Sequence, residues 1–428
     1  VRGRVPASGL YLRAVELMSR CYREVGDEEK AAQYAARLKR TLANGNFALR
    51  PLAESKNGRK AHADTPPFSV IIPSYNREAV LKECLDALAR QSVRPEIFEV
   101  IVVDDGSADG TEQFCRNFQP NYSFQYLRQL NAGAGAARRR GVQHACGEYL
   151  LLFKDDTISA PELLAEHWKA QQSHPDLRQC VLGDFRFPPA AQQRALTRFL
   201  TQSSFFFPQA TLRAGEYWEY TYVVTCNWSV KRDAVLAVGS FDARFRLAED
   251  SDLGLRLSRK GFCVRYVPEA QATHQHLPFT IPDLMRRAAA YGANQLAFLR
   301  KHPALLGGGQ SIFGMLDEEA ADKWRALVKE RKQEIEQLVA TLTRIASVDF
   351  APFFSMKKGD GAVADEITKL CQRAVPDIYW HYCFLALLRT WEAETCMLLR
   401  CRCGRRSCET KRTFEGRGFS AKLRDYSL

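Results

Sequence analysis

Between Phe68 and Asp156 one apolar run after another ends in a short polar signature: FSVIIPSYNRE, EVIVVDDGSADGT, LNAGAGAARRRG and GEYLLLFKDDT. Short apolar runs bounded by Asn, Asp, Gly and Ser predict buried strands, here over 68–72, 98–103, 124–127, 149–153, 180–185, 222–230 and 263–267. Helical spacing falls between them, near 78–91, 111–118, 134–146, 161–172 and 249–260. Strict alternation of this kind predicts an α/β fold, a mostly parallel central sheet with helices on both faces. Ligands of such sheets gather at the carboxyl ends of the strands, and every polar signature falls there.

Each signature has a chemical reading and a plain one. In Pro73-Ser74-Tyr75-Asn76, Asn76 is placed to cap a helix whose apolar face is Val80, Leu81, Cys84, Leu85 and Leu88. Tyr75 then stands at the strand end, where its ring stacks on a base or packs into the core. Asp104-Asp105-Gly106-Ser107 offers acceptors for a base N–H or a ribose hydroxyl, and is also ordinary turn chemistry. Around Gly133 small residues let a backbone approach an anion at a helix start, but the pattern runs G-x-G-x-x-R to Arg138 and is no dinucleotide fingerprint. Arg138, Arg139 and Arg140 either neutralise phosphates or face solvent. Lys154-Asp155-Asp156 supplies oxygen ligands for a hard divalent ion, or is an exposed acidic turn. Glu249-Asp250 opens a helix, with Asp250 on the face of Leu253 and Leu257. A carboxylate held there is a good general base, although a helix start favours acids in any case. His274 and His276 alternate on a strand and point one way, as metal ligands or as polar surface.

A chain of 428 residues is too long for one small domain. Residues 1–45 read as a helical hairpin whose LMSRCYREVGDEEKAAQYAARL resembles a tetratricopeptide unit, and 46–67 has linker composition. The region of alternating strands and helices is placed at 68–300, followed by a helical region at 301–395 and a basic tail at 396–428. The net charge of +12 suits an acidic partner such as nucleic acid, anionic lipid or a phosphorylated substrate. The 13 cysteines, odd in number and without framework spacing, predict reduced thiols and a cytoplasmic setting. In the tail Cys396, Cys401, Cys403 and Cys408 lack a standard zinc spacing. No apolar run reaches the ~18–20 residues of a membrane span, and the start at Val1 reads as that of a fragment. The basic tail suits peripheral contact with an anionic inner-membrane surface.

In order and spacing, VIIPSYNRE, VIVVDDGSADGT, LNAGAGAARRRGV, GEYLLLFKDDT and AEDSDLGLRL resemble the family 2 glycosyltransferases of A-type nucleotide-sugar fold, over about 68–300. The resemblance implies an inverting hexosyltransferase that uses a nucleotide-sugar donor, with uridine favoured. The acceptor it implies is a glycan, a lipid-linked molecule or a protein, and not nucleic acid. Pro73, Tyr75, Asn76, Asp104, Asp105, Gly106, Gly133, Arg138, Lys154 and Asp155 would bind the nucleotide. Asp156, with His274 or His276, would hold a divalent metal (Mn2+ or Mg2+), and Asp250 with Glu249 would supply the base. Asn227 and Trp228 would line the acceptor side. Lys154 departs from the family pattern, standing where many members carry the first acid of an Asp-x-Asp. The rival reading is a non-catalytic nucleotide-sugar or glycan-binding relative. A nucleotidyltransferase fits worse, because Pro73-Ser74-Tyr75-Asn76 is no Gly-rich basic loop.

Overall fold

A computed structural model of the chain describes residues 67–174, 178–188, 195–202, 212–218, 220, 223–275, 280–302, 318–346 and 361–403, with 2–4, 32 and 46–48 before them. The expected helical hairpin, His276 and the tail beyond 403 lie outside the described residues. Before residue 67, strand Arg2–Arg4 pairs antiparallel with Asn46–Ala48.

The centre is a nine-stranded mixed sheet. Its first half is β1 (Phe68–Ser74), β2 (Phe98–Asp104), β3 (Ser123–Arg128) and β4 (Tyr149–Phe153), parallel in the order β3-β2-β1-β4. Every residue of β4 is buried, as expected of a central strand covered on both faces. Helix α1 (Glu78–Leu88) buries Leu81, Cys84, Leu85 and Leu88, the stripe that its spacing predicts. Helix α2 (Thr111–Asn117) precedes β3, and α3 (Ala134–His144) precedes β4.

The second half departs from the parallel plan. After β5 (Thr157–Ser159) and α4 (Leu163–Ser173) come β6 (Gln179–Arg186), α5 (Ala195–Gln202) and β7 (Tyr217–Trp218). Next is β8 (Asn227–Lys231), which runs antiparallel between β4 and β6. The strand expected over 222–230 is this shorter, reversed one. Helices α6 (Arg232–Ala237) and α7 (Glu249–Arg259) lead into β9 (Cys263–His274). That strand is parallel to β6 and antiparallel to β5 and β7. It extends past the expected end at 267 through a register shift between Val267 and Gln271, which carries it to His274 beside the end of β4.

A helical layer follows: α8 (Ile281–Lys301), α9 (Glu318–Glu330), α10 (Lys332–Ala346) and α11 (Gly361–Cys403). Thr280 and Asp283 form a reciprocal capping box at the start of α8. A second apolar core joins Phe245 and Leu255 to Leu284, Leu299, Trp324, Trp380 and Phe384. Packing is therefore continuous across residue 300, where the sequence suggested a boundary. Among the described residues no helix is long and apolar enough to cross a membrane. Cys84, Cys115, Cys146, Cys180, Cys226, Cys263, Cys371 and Cys383 are free thiols, and of these eight only Cys146 is exposed.

Candidate active site

Three turns at the carboxyl ends of β1, β2 and β3 are laced together. The Asp105 amide donates to the Ser74 carbonyl, and the Gln129 amide to the Asp104 carbonyl, each at 2.9 Å. Asn76 has a left-handed φ of 53° and does not cap α1. Its amide donates to Ser107 Oγ at 2.9 Å and its Oδ1 accepts from the Ala108 amide at 2.7 Å. The first amide of α1, that of Glu78, donates instead to Asp109 Oδ2. Left-handed φ is tolerated best by Gly and Asn, which explains Asn76 and the 87° of Gly106.

The two acids of the second turn turn inward. Asp104 is fully buried, accepting from the Ser107 amide at 2.7 Å and the Tyr126 hydroxyl at 2.6 Å. Asp105 accepts from the amides of Ala132 and Gly133 at 2.9 and 2.7 Å, and from Gln129 Nε2. Their carboxylates thus hold the turns in place, a different task from the expected reach to base and ribose. Pro73 and Tyr75 are half-buried at the rim.

At the end of β4, Asp155 and Asp156 are both buried. Arg77 bridges them, its Nη1 lying 3.2 Å from Asp155 Oδ1 and 2.7 Å from Asp156 Oδ2. Ser74 Oγ donates to Asp155 at 2.9 Å. Burial and the adjoining Asp156 carboxylate push Asp155 up, against Arg77, Ser74 and Lys154. On the other side His274 Nε2 stands 3.4 Å from Asp156 Oδ1, and Lys154 Nζ is 3.4 Å from that nitrogen and 3.9 Å from that oxygen. Arg77 and Ser74 escaped the sequence reading. The signal was a cation directly after the Tyr-Asn turn, but its acidic partners lie far along the chain.

Helix α7 brings the second acid pair. Glu249 is buried against Arg138, whose Nη1 lies 2.6 Å from Glu249 Oε1 and which is itself buried, with Nε unbonded. Arg138 therefore neither reaches outward for a phosphate nor faces solvent; it joins α3 to α7. The two helix starts approach closely enough that a side chain at Gly135 would meet the Phe245 carbonyl. Burial pushes Glu249 up to about 7, Asp250 adds to the push and Arg138 resists it. Burial raises Asp250 as well, opposed by Arg138, the Ser251 amide and Arg287 of α8. Asp250 is the more accessible of the pair. The two acid pairs converge on Cys226: Lys154, Asp156, Arg138 and Asp250 all act on its thiol, which burial pushes up to about 11.

Asn227 and Trp228 are fully buried in β8 and do not line an open acceptor face. Asn227 accepts from His167 Nε2 at 2.8 Å and donates to the carbonyls of Asp184 and Ala270. His167 Nδ1 meets Ser229 Oγ at 2.8 Å, and burial lowers this histidine to about 4. The network ties α4 to the reversed strand.

Among the described residues no cluster of three His, Cys, Asp or Glu side chains can hold a metal alone. One carboxylate and one imidazole 3.4 Å apart do fit a divalent ion that takes its remaining ligands from substrate phosphates.

Residues 69–239 match the model of the family described as glycosyl transferase family 2. Validoxylamine A glucosyltransferase of Streptomyces hygroscopicus subsp. limoneus is 28% identical over 296 residues, 60% of this chain and 63% of that protein. The probable glycosyltransferase YdaM of Bacillus subtilis is 28% identical over 221 residues, 50% of this chain and 51% of that protein. The chain thus spans less than two thirds of these relatives. Among solved structures, the mannosyltransferase PcManGT of Pyrobaculum calidifontis, in complex with GDP-Man and Mn2+, shares the fold with a TM-score of 0.50. It is 16% identical, over 89% of this chain and 99% of that one.

Proposed function

We propose that this chain, whose residues 69–239 match the model of glycosyl transferase family 2, moves a hexose from a nucleoside diphosphate to an acceptor hydroxyl, inverting the anomeric centre. The observation that carries the reading is that the charges of Lys154, Asp156, Arg138 and Asp250, from the end of β4, α3 and α7, all act on the one buried thiol of Cys226. A relative that is a glucosyltransferase supports a hexose donor.

In this reading the nucleotide lies over the laced turns, with Tyr75 against the base. Asp250 accepts the proton of the acceptor hydroxyl as its oxygen attacks the anomeric carbon. The bond from that carbon to the diphosphate breaks, and its electron pair leaves on the phosphate oxygen. Glu249, pushed up by burial and held by Arg138, leaves Asp250 as the proton acceptor. Lys154 and Arg77, both beside Asp156, would stabilise charge growing on the diphosphate. Asp156 and His274 would hold a divalent ion, which supplies further neutralisation of that leaving group.

The test is Asp250→Asn, read by nucleotide release from UDP-glucose and GDP-mannose and by calorimetric binding of UDP and GDP. The expected outcome is unchanged nucleotide binding with turnover lower by ~10²–10⁴-fold. Wild-type turnover in the variant, or failure of the wild-type protein to bind either nucleotide, would sink the reading.

A further inference from the structure

The Lys154 ammonium lies beside the Asp156–His274 pair that would hold a divalent ion. Its Nζ is 3.4 Å from His274 Nε2 and 3.9 Å from Asp156 Oδ1, and those two atoms are themselves 3.4 Å apart. The three groups form a small, closed triangle beside the buried acid pair. Lysine has donors and no acceptor, so in this contact Nε2 presents its lone pair to the ammonium. A metal ion needs that same lone pair, and one nitrogen cannot serve both.

We propose that Lys154 is a tethered competitor that keeps divalent ions out of the Asp156–His274 site until a nucleoside diphosphate enters. Lys154 sits on a flexible four-carbon stem and is about one third exposed, so its ammonium can swing away while still charged. Two phosphate groups give it a better partner than an imidazole, and the same phosphates complete the shell of a hard cation. Diphosphate and metal then bind with positive coupling, and each tightens the other by the same factor. Only the diphosphate half of this inference rests on the transferase reading; the exclusion of metal from the nucleotide-free protein does not.

The experiment is Mn2+ binding by electron paramagnetic resonance on the full chain, with and without UDP or GDP. Wild type, Lys154→Met, Lys154→Gln and Asp156→Asn are compared. Wild type should bind Mn2+ weakly alone and about 5–150-fold more tightly with its nucleotide. Both Lys154 variants should bind Mn2+ roughly tenfold more tightly without nucleotide and lose most of the coupling. Asp156→Asn should abolish the signal in every case. Unchanged or weaker Mn2+ binding in the nucleotide-free Lys154 variants overturns the proposal. So does a gain that vanishes at about 0.5 M salt, because general repulsion is screened there and direct displacement is not. If wild type binds neither UDP nor GDP the transferase reading fails, and the nucleotide-free comparison still decides the role of Lys154.

Discussion

Arg138 and Glu249 form a buried ion pair whose members come from opposite sides of the site. Loss of one partner strands the other charge in a poor dielectric. Arg138→Met should therefore destabilise the fold by about 3–5 kcal/mol, measured by denaturant unfolding. The double variant Arg138→Met/Glu249→Met should recover much of that loss, since a neutral pair needs no partner. A double variant no more stable than the single would count against the pair as the cause. These residues also mark what a sequence can tell. Arg138 reads either as a phosphate contact or as solvent-facing, and Asn227 as an acceptor contact only through the family resemblance. The structure gives each a protein partner instead, Glu249 and His167, remote in sequence and invisible until the chain has folded. Asp104 and Asp105 read either as turn acids or as contacts to base and ribose, and the donors that hold them lie on the next strand and the turn after it.

At the scale of elements the first half of the sheet was legible and the second less so. Continuous apolar runs at β1, β2 and β4 leave little choice but central strands. Strand direction is not written in such runs, so the reversal of β8 needed its neighbours to be seen. The helical layer has a similarly hidden joint. Gly292 of α8 lies against the backbone carbonyl of Cys383 in α11, leaving no room for a side chain. Tyr291 and Tyr379 meet beside it, with ring centroids 6.4 Å apart. Gly292→Ala must push two helices apart and should cost about 1–3 kcal/mol despite the better helix propensity of Ala. A rise in melting temperature would show that the crossing is looser than described.

Sheet and helical layer are pinned together by Asp252. It is fully buried on α7 and accepts from His302 Nε2 and Lys301 Nζ, both at 2.7 Å, and from Arg256 at 2.6 Å. Burial alone would raise its pKa; the bonds from His302, Arg256 and Lys301 outweigh that and bring it to about 2. A folded value below the unfolded one of about 3.9 means that the carboxylate stabilises the molecule above that pH. The contribution should fade as pH falls from roughly 5 towards 1 and is on the order of 2 kcal/mol. Acid titration followed by tryptophan fluorescence should show this loss at Trp324 and Trp380, and Asp252→Asn should flatten it. An equally steep acid transition in the variant would assign it to other carboxylates.

The lacing of the three turns also bears on what any ligand would feel. Asp105 bonds to Ser74, Asn76 to Ser107 and Ala108, Asp104 to Gln129 and Asp105 to Gly133, so each turn is tied to another by the protein's own groups. The three turns are thus held when the chain folds, before any ligand arrives. A rigid floor accepts one shape quickly and adapts poorly to others. On the proposed nucleotide reading, closely related bases should then differ in how fast they leave far more than in how fast they arrive.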